Sequence, residues 1–193
     1  MYPISYVMKK LFGVTIITSL LFSVFTSEKY ISDRQDEYVC LPCGADCDNI
    51  SHKEPGTCSH CSMTLVKRST IKHKNIQPGD LCLFITKTGS GNVLLLDVRT
   101  KAEFEGTAAD KFGRLNNAIN IPIQELETRM KELNNWKDKQ IVVYCSHSHR
   151  SPRASYMLSQ NGFKNVTNML GGMSTWKESV KDENCNQQLF ISQ

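Results

Sequence analysis

Three short, mostly apolar runs, separated by polar stretches, stand out between residues 93 and 170. They are residues 93–96, 141–144 and 166–170, and each is bounded by turn residues or charges. Mostly apolar runs of this length are typical of strands that are buried on both faces of a parallel sheet. We therefore predict such a sheet, with these runs as its inner strands.

Helical patterns lie between and before these runs. An apolar stripe at helical spacing follows Pro122, and a further helix opens at Pro78. Another helix has Ser151 as its predicted N-cap and Pro152 in its first turn, and it ends at Gly162. The alternation of strands and helices predicts an open α/β sheet with right-handed crossovers.

The first 27 residues have a different pattern. Lys9 and Lys10 precede an uncharged apolar run over residues 11–25. This is the layout of a secretory signal, and the run is shorter than the roughly 20 residues that a membrane-spanning helix needs. We expect an exported, periplasmic protein, which is attached to the membrane only if this segment is retained as an anchor.

Length, charge and cysteine content narrow the class of protein. The chain has 193 residues, ordinary globular composition and a net charge of only +4, which argues against nucleic-acid binding. The unusual feature is eight cysteines. Five of them fall between Cys40 and Cys61, and the others are Cys82, Cys145 and Cys185.

The cysteine-rich segment begins and ends with a Cys-x-x-Cys pair, and fourteen residues separate the pairs. This spacing suits four thiolates around one tetrahedral ion. The segment has few aliphatic residues and cannot close a core unaided, so a metal or disulfides must hold it. We favour the metal, with disulfides as the alternative in an exported protein. The predicted ligands are Cys40, Cys43, Cys58 and Cys61. Further candidate ligands are Cys47, His52 and His60.

These patterns divide the chain into five parts. They are a signal peptide or anchor (1–27), a linker (28–37), a cysteine-rich module (38–66), an α/β domain (71–180) and a tail (181–193). Cys82 lies on an apolar helix face and is expected in the core. Cys185 lies in the polar tail, either free or paired with another cysteine.

The loop that follows the run 141–144 carries the candidate nucleophile, Cys145. Ligands of open α/β sheets bind beyond the carboxyl ends of the strands. Backbone N–H groups, the start of the next helix and Arg150 should together favour the thiolate form of Cys145. The remaining loop residues are Ser146, His147, Ser148, His149 and Ser151.

Several linked motifs resemble those of a rhodanese domain. They are residues 95–100 with Glu103 and Phe104, residues 117–122, the loop 145–151, residues 162–166, and residues 171–173 with Trp176. The match runs in order over about residues 71–180. It implies a sulfurtransferase with a five-stranded, mostly parallel sheet flanked by helices.

The resemblance also implies roles for particular residues. Cys145 would carry a persulfide, taken from a thiosulfate-like anion and passed to a thiol or cyanide, and Arg150 would be the catalytic loop arginine. Asp97 and Arg99 match an Asp-x-Arg motif, to which we assign a supporting role. No cofactor is implied for this domain.

This chain departs from the family pattern at two places. Ser148 stands where the family commonly has glycine, so a positive φ there would strain the loop. Residues 106–113 lengthen a normally short connection and predict a surface excursion near the site.

The module resembles the short heavy-metal-binding segments of exported metal-handling proteins. The matching residues are Tyr38, Val39 and Cys40, followed by residues 55–65. This chain has Pro42 and Cys43 where a Met-His pair is usual, which favours zinc. A second hypothesis, favoured by Ser148 and by the many thiols and histidines, is a non-enzymatic metal- or sulfur-binding carrier that uses the rhodanese fold as a docking module. A phosphatase is disfavoured, because only four residues separate Cys145 from Arg150.

Overall fold

The computed structural model of the protein describes residues 37–180 and 185–193. The predicted signal or anchor, and all of the predicted linker except Glu37, lie outside the described residues. Within the two described ranges, no helix combines the length and the apolar character that are needed to cross a bilayer.

Short strands and helices alternate along the chain. The strands are β1 (Tyr38–Val39), β2 (Ser51–His52), β3 (Val66–Lys67), β4 (Lys74–Ile76), β5 (Val93–Asp97), β6 (Arg114–Leu115), β7 (Ile119–Asn120), β8 (Gln140–Tyr144), β9 (Asn165–Met169) and β10 (Phe190–Ile191). The α-helices are α1 (Leu81–Thr88), α2 (Lys101–Glu105), α3 (Ile123–Arg129), α4 (Arg150–Gln160), α5 (Trp176–Ser179) and α6 (Cys185–Gln188). The 3-10 helices are Asp46–Asn49, Arg68–Thr70, Pro78–Asp80, Ser90–Asn92, Met130–Trp136 and Met173–Thr175.

Five parallel strands form the main sheet, in the order β4-β9-β8-β5-β7. Val142 of the central strand β8 pairs with Leu95 of β5 and with Thr167 of β9. The predicted α/β fold with a five-stranded, mostly parallel sheet is confirmed. The carboxyl ends of these strands lie at one edge, where Cys145 follows β8.

Helices cover both faces of this sheet. On one face, Leu126 of α3 and Leu158 of α4 pack against the strands. On the other face, Leu81 of α1 and Trp176 of α5 do so. Because both faces are buried, all five positions of β5 lie inside the protein. This burial explains why β5 and the inner positions of β8 are apolar without alternation.

Two helices differ from the prediction at their ends. Helix α4 begins at Arg150 with His149 at its N-cap, so Ser151 lies inside the helix instead of capping it. The apolar stripe after Pro122 is buried as predicted, but the α-helix ends at Arg129 and a 3-10 helix continues to Trp136. The buried side chains Leu126 and Leu133 thus lie on one continuous stretch, whose backbone changes from α-helical to 3-10 hydrogen bonding after Arg129.

The segment predicted as a tail is packed against the α/β domain where it is described. Strand β10 pairs with β6, and Phe190 stacks on Trp176. Cys185 forms a disulfide with Cys82, which is also buried as expected. The buried Asn186 accepts a hydrogen bond from the backbone N–H of Cys82. The carboxyl-terminal residues therefore complete this face of the domain.

The cysteine-rich module has its own small sheet, with β1 between β2 and β3, all antiparallel. Its buried cluster consists of Cys40, Leu41, Cys43, Cys47, Cys58, Met63 and Leu65. Four of these seven side chains end in a thiol. Cysteine side chains therefore make up more than half of the buried cluster of the module.

His73, just before β4, gives the protein a pH-dependent stability. It is 7% exposed, and neither ring nitrogen has a hydrogen-bond partner among the described residues. Burial lowers its pKa to about 4, so between about pH 6.5 and pH 4 the unfolded chain binds a proton that the folded chain does not. We expect this to lower the free energy of unfolding by about 3 kcal/mol as the pH falls through this window.

The check is urea unfolding of wild type and His73→Leu from pH 7 to pH 4. The variant should lack this part of the pH dependence, whereas His149→Gln, at an exposed position, should keep it. Parallel pH curves for wild type and His73→Leu would contradict the assignment.

Candidate active site and metal-binding cluster

Cys145 lies at the carboxyl end of the central strand and is 1% exposed. Its Sγ donates to the Ser151 hydroxyl oxygen at 3.5 Å, so helix α4 begins directly beside the sulfur. Its carbonyl oxygen accepts a hydrogen bond of 2.8 Å from the backbone N–H of Met173. The loop is thus held between the first turn of α4 and the segment that follows β9.

Ser148 occupies the tightest point of this loop. Its φ is +60°, the left-handed region that favours glycine, so the expected positive φ is present. The residue is 1% exposed, and its hydroxyl has no hydrogen-bond partner among the described residues. A non-glycine residue in this region costs about 1–3 kcal/mol, which the surrounding contacts must offset.

Arg150 is paired with Glu103 of helix α2. Two guanidinium nitrogens donate to the two carboxylate oxygens at 2.7 and 2.6 Å, and the same group reaches the Ser146 hydroxyl at 2.7 Å. The hydrogen bonds from Arg150 lower the pKa of Glu103 to about 2, and those of Glu103 raise the pKa of Arg150. Arg150, which was predicted as the loop arginine, is therefore held at the edge of the loop by Glu103 of α2.

Glu103 was not among the predicted site residues. It is positioned by a capping box, in which the Thr100 hydroxyl accepts from the Glu103 N–H and the Glu103 carboxylate accepts from the Thr100 N–H. Thr-x-x-Glu is readable in the sequence as a helix start. Nothing in that signal says that the same carboxylate reaches an arginine 47 residues away.

Asp97 and Arg99 form an ion pair of 2.7 Å between side chains with no solvent exposure. Arg99 also donates to the carbonyl oxygen of Gly113 at 2.9 Å. The pair therefore braces the end of the excursion over residues 106–113. Phe112 in that excursion meets the ring of the exposed His147 edge-on, with ring centres 5.0 Å apart. The excursion reaches the candidate active-site loop, as its sequence position predicts.

Gly172 packs directly under the candidate active-site loop. A Cβ atom at this position would overlap the carbonyl oxygens of Cys145 and Ser146. Its φ of +64° and ψ of −159° are also accessible essentially only to glycine. The Ser174 N–H donates to the Ser146 oxygen at 2.9 Å. Glycine here permits the backbone contacts that fix the loop.

Four thiols of the module come together in one cluster that can hold a metal ion. The side chains of Cys40, Cys47, Cys58 and Cys61 offer sulfur atoms that all lie within 4.8 Å of one another. Burial raises the pKa of Cys47 to about 12, whereas backbone hydrogen bonds from Cys61 and His60 lower the pKa of Cys58 to about 7. A bound cation would compensate the charge of four thiolates.

The ligand set differs from the predicted one at a single position. Cys47, named as a further candidate, stands in the four-sulfur cluster where Cys43 was predicted, while Cys43 forms a second metal-compatible group with Cys47 and Asp48. The Asp48 carboxylate accepts from the N–H groups of Cys43 and Gly44 and from the Cys43 thiol, at 2.7 to 3.3 Å. This turn draws Cys43 toward Asp48, while the 3-10 helix Asp46–Asn49 carries Cys47 inward.

The two histidines of the module lie apart from the metal-compatible groups. His52 is half-buried and His60 is exposed, and neither belongs to a metal-compatible group among the described residues. The sulfur atoms of Cys40 and Cys61 are 3.1 Å apart, and both cysteines are free. Among the described cysteines, Cys82 and Cys185 are joined by a disulfide, whereas those of the module are not.

The substitution Glu103→Gln tests whether the ion pair between Glu103 and Arg150 positions the arginine. The variant keeps the size of the side chain but removes the charge that fixes Arg150. We therefore expect the rate of the reaction carried by the Cys145 loop to fall roughly tenfold. Because the pKa of Glu103 is about 2, the difference from wild type should persist at pH 4 and shrink only as the pH approaches 2. Glu105→Gln, in the same helix but exposed, is the matched control. Equal rates for both variants would contradict the role of the Glu103–Arg150 pair.

Comparisons with known proteins agree with the fold of the α/β domain. The model of the rhodanese-like domain family matches residues 84–179. An uncharacterized protein of Bacillus subtilis (strain 168) is 36% identical over 95 residues, which make up 49% of this chain and 69% of that protein. A sulfurtransferase of Allochromatium vinosum is 35% identical over 85 residues, or 44% of this chain and 72% of that protein.

One solved structure also aligns with part of this chain. The crystal structure of a rhodanese-related protein from Thermoplasma volcanium is 36% identical in sequence to the aligned part of this chain. The alignment covers 55% of this chain and 92% of that chain, with a TM-score of 0.45. The resemblance of the cysteine-rich module to heavy-metal-binding segments stays a prediction.

Proposed function

This chain belongs to the rhodanese-like family, and we propose that it is a sulfurtransferase that carries sulfane sulfur as a persulfide on Cys145. One observation carries the proposal: the Cys145 sulfur lies at the carboxyl end of the central strand and beside the first turn of α4. The N–H groups and the dipole at a helix N-terminus stabilise a nearby anion. Both the thiolate and the terminal sulfur of a persulfide are such anions.

The reaction proceeds in two displacements. The Cys145 thiolate attacks the outer sulfur of thiosulfate, a new S–S bond forms, and sulfite leaves with the electron pair of the broken S–S bond. A thiolate or cyanide then attacks the terminal sulfur, and Cys145 leaves as the thiolate. Fixed N–H dipoles of the loop stabilise the charge on the transferred sulfur.

The other loop residues have supporting roles in this proposal. Arg150 supplies positive charge at the entrance for an anionic donor, and its pairing with Glu103 and Ser146 fixes its orientation. His147 and His149 are exposed beside it, where they can meet the donor. Asp97 and Arg99 support the neighbouring excursion, as their buried ion pair favours.

The remaining parts of the chain extend the proposal. We assign residues 38–66 to a zinc-binding module, because four thiolates are the ligand set of a closed, tetrahedral zinc site. We assign the protein to the periplasm, with residues 1–27 as a signal peptide or anchor. The disulfide between Cys82 and Cys185 supports an oxidising compartment.

A second candidate function is a carrier that binds metal or sulfane sulfur without turnover. The four-thiol cluster favours it. The two hypotheses differ in one assay, in which the protein without residues 1–27 is supplied with thiosulfate and cyanide. A sulfurtransferase produces sulfite and thiocyanate continuously. A carrier binds metal stoichiometrically and releases at most one sulfite per chain, on loading, with no continuous formation of either product, and that result would overturn the enzyme proposal.

A further inference from the structure

The cysteine-rich module rests on the same edge of the main sheet that bears Cys145. The side-chain amide of Asn168, which is fully buried in β9, donates to the carbonyl oxygen of Pro42 at 3.1 Å. Gly44 faces Leu170, since a Cβ at Gly44 would be in ordinary contact with it, 3.8 Å from its Cδ2. Both contacts come from the turn between Cys40 and Cys47. The backbone of the metal-compatible cluster therefore touches β9 and the first residue after it.

That part of the chain leads directly to the Cys145 loop. Leu170 is followed by Gly171 and Gly172, and Gly172 lies against the carbonyl oxygens of Cys145 and Ser146. The next two residues donate their N–H groups to those same oxygens at 2.8 and 2.9 Å. Five consecutive residues, 170–174, thus connect the module to the backbone of the candidate nucleophile.

The module also contacts the helix that begins after the loop. The Tyr156 hydroxyl of α4 is 3.0 Å from the Thr70 hydroxyl, and the Gln160 amide donates to the Thr70 carbonyl oxygen at 2.8 Å. The Tyr156 side chain packs against the buried cluster of the module itself. Both elements that hold the Cys145 loop, residues 170–174 and α4, are therefore in contact with the module or the segment leaving it.

The folding of the module depends on what its cysteine sulfur atoms bind. Four of the seven side chains in its buried cluster are cysteines, and the other three are Leu41, Met63 and Leu65. The further apolar side chains that pack against this cluster, such as Tyr38, Val66 and Ile71, are only partly buried. A core of this size does not offset the conformational entropy of about 30 residues. Small thiol-rich modules of this kind fold when the metal binds and unfold when it is removed.

We propose that a metal ion bound by Cys40, Cys47, Cys58 and Cys61 folds the module against β9 and α4, and thereby positions the Cys145 loop for sulfur transfer. This inference rests on the proposed sulfurtransferase function. The metal takes no part in the chemistry. Asn168 and Leu170 act as positioning residues, because they connect the module to the backbone beside the nucleophile.

A matched pair of variants tests the ligand set. Cys47→Ser removes a sulfur from the four-thiol cluster, whereas Cys43→Ser removes the neighbouring thiol, which is 3.8 Å from the Cys47 sulfur and belongs with Cys47 and Asp48 to a second metal-compatible group that has only two thiols. After loading with zinc, we expect one zinc per chain in wild type and Cys43→Ser, and about none in Cys47→Ser. Loss of zinc from Cys43→Ser with retention by Cys47→Ser would overturn the assigned ligands.

Turnover and amide exchange test the positioning role. We expect kcat for sulfite release to fall about fivefold or more in Cys47→Ser, and the amide hydrogens of residues 170–174 to exchange faster. Chelation of the wild-type zinc should have the same effects, and added zinc should reverse them, which separates metal loss from irreversible misfolding. Unchanged exchange and unchanged turnover after zinc removal would overturn the inference.

The two proposals fail in different ways. If zinc-loaded wild type releases no sulfite, the sulfurtransferase proposal fails, while zinc-dependent protection of residues 170–174 would still support the structural coupling. If the zinc-free protein turns over at the wild-type rate, the coupling fails and the sulfurtransferase proposal stands.

Discussion

Replacing Cys145 with serine is expected to lower sulfur transfer from thiosulfate by about a thousandfold or more. The persulfide requires a nucleophile that forms an S–S bond, and a serine hydroxyl is neither ionised near neutral pH nor able to form that bond. The substitution changes little else. The side chain is almost isosteric, and the hydrogen bond toward Ser151 can be kept, so we expect the stability to change by less than about 1 kcal/mol.

Sulfite release by wild type and Cys145→Ser at saturating thiosulfate is the measurement, with thermal unfolding as a check on folding. Cys43→Ser is the matched control, because it replaces another buried thiol of the same chain. A Cys145→Ser enzyme that retains a tenth or more of the wild-type rate would show that the sulfur is carried elsewhere.

Gly172→Ala is expected to destabilise the protein by about 3 kcal/mol and to reduce turnover at least tenfold. The backbone conformation, which is essentially restricted to glycine, costs an alanine about 1–3 kcal/mol, and the added Cβ collides with the carbonyl oxygens of Cys145 and Ser146. Overlap in a packed region costs a further 1–3 kcal/mol or so. Because backbone atoms cannot move aside independently, the collision displaces the loop that holds the nucleophile.

Gly162→Ala provides the matched comparison for this variant. Gly162 also has a positive φ, +85°, but an added Cβ there meets no atom within 4 Å. It should lose about 1 kcal/mol of stability and keep its turnover. If Gly172→Ala behaves like Gly162→Ala in both unfolding and sulfite release, the close packing of Gly172 under the loop does not support the active site.

The fold was predictable because its inner strands are buried on both faces. Residues 93–96 and 141–144 are apolar throughout, and they match β5 and β8 to within one residue at each end. The edge strands β4 and β7 are short and half-exposed, so their sequences carry no such pattern. The docking of β10 on β6 was missed for a different reason. Two-residue strands in a polar segment are stabilised by tertiary contacts, including the Cys82–Cys185 disulfide, which local patterns do not encode.

The candidate site was predictable where one loop contains it and not where distant elements meet. Cys145 and Arg150 could be proposed from the sequence because a strand, a loop and a helix follow one another there. Glu103 was missed because its contact with Arg150 depends on the packing of α2 against the loop. The spacing of the Cys-x-x-Cys pairs pointed to Cys43. Asp48 redirects that turn, so that Cys47 enters the cluster, and such a side-chain contact is not visible in the spacing.

The central claim is that Cys145 itself carries the transferred sulfur, and the mass of the intact protein tests it most directly. Wild-type protein should gain about 32 Da, one sulfur atom, after incubation with thiosulfate. Peptide mapping should place the added mass on Cys145, and added cyanide should remove it with release of an equal amount of thiocyanate. An adduct that persists in Cys145→Ser, or that maps to the cysteines of the module, would contradict the account.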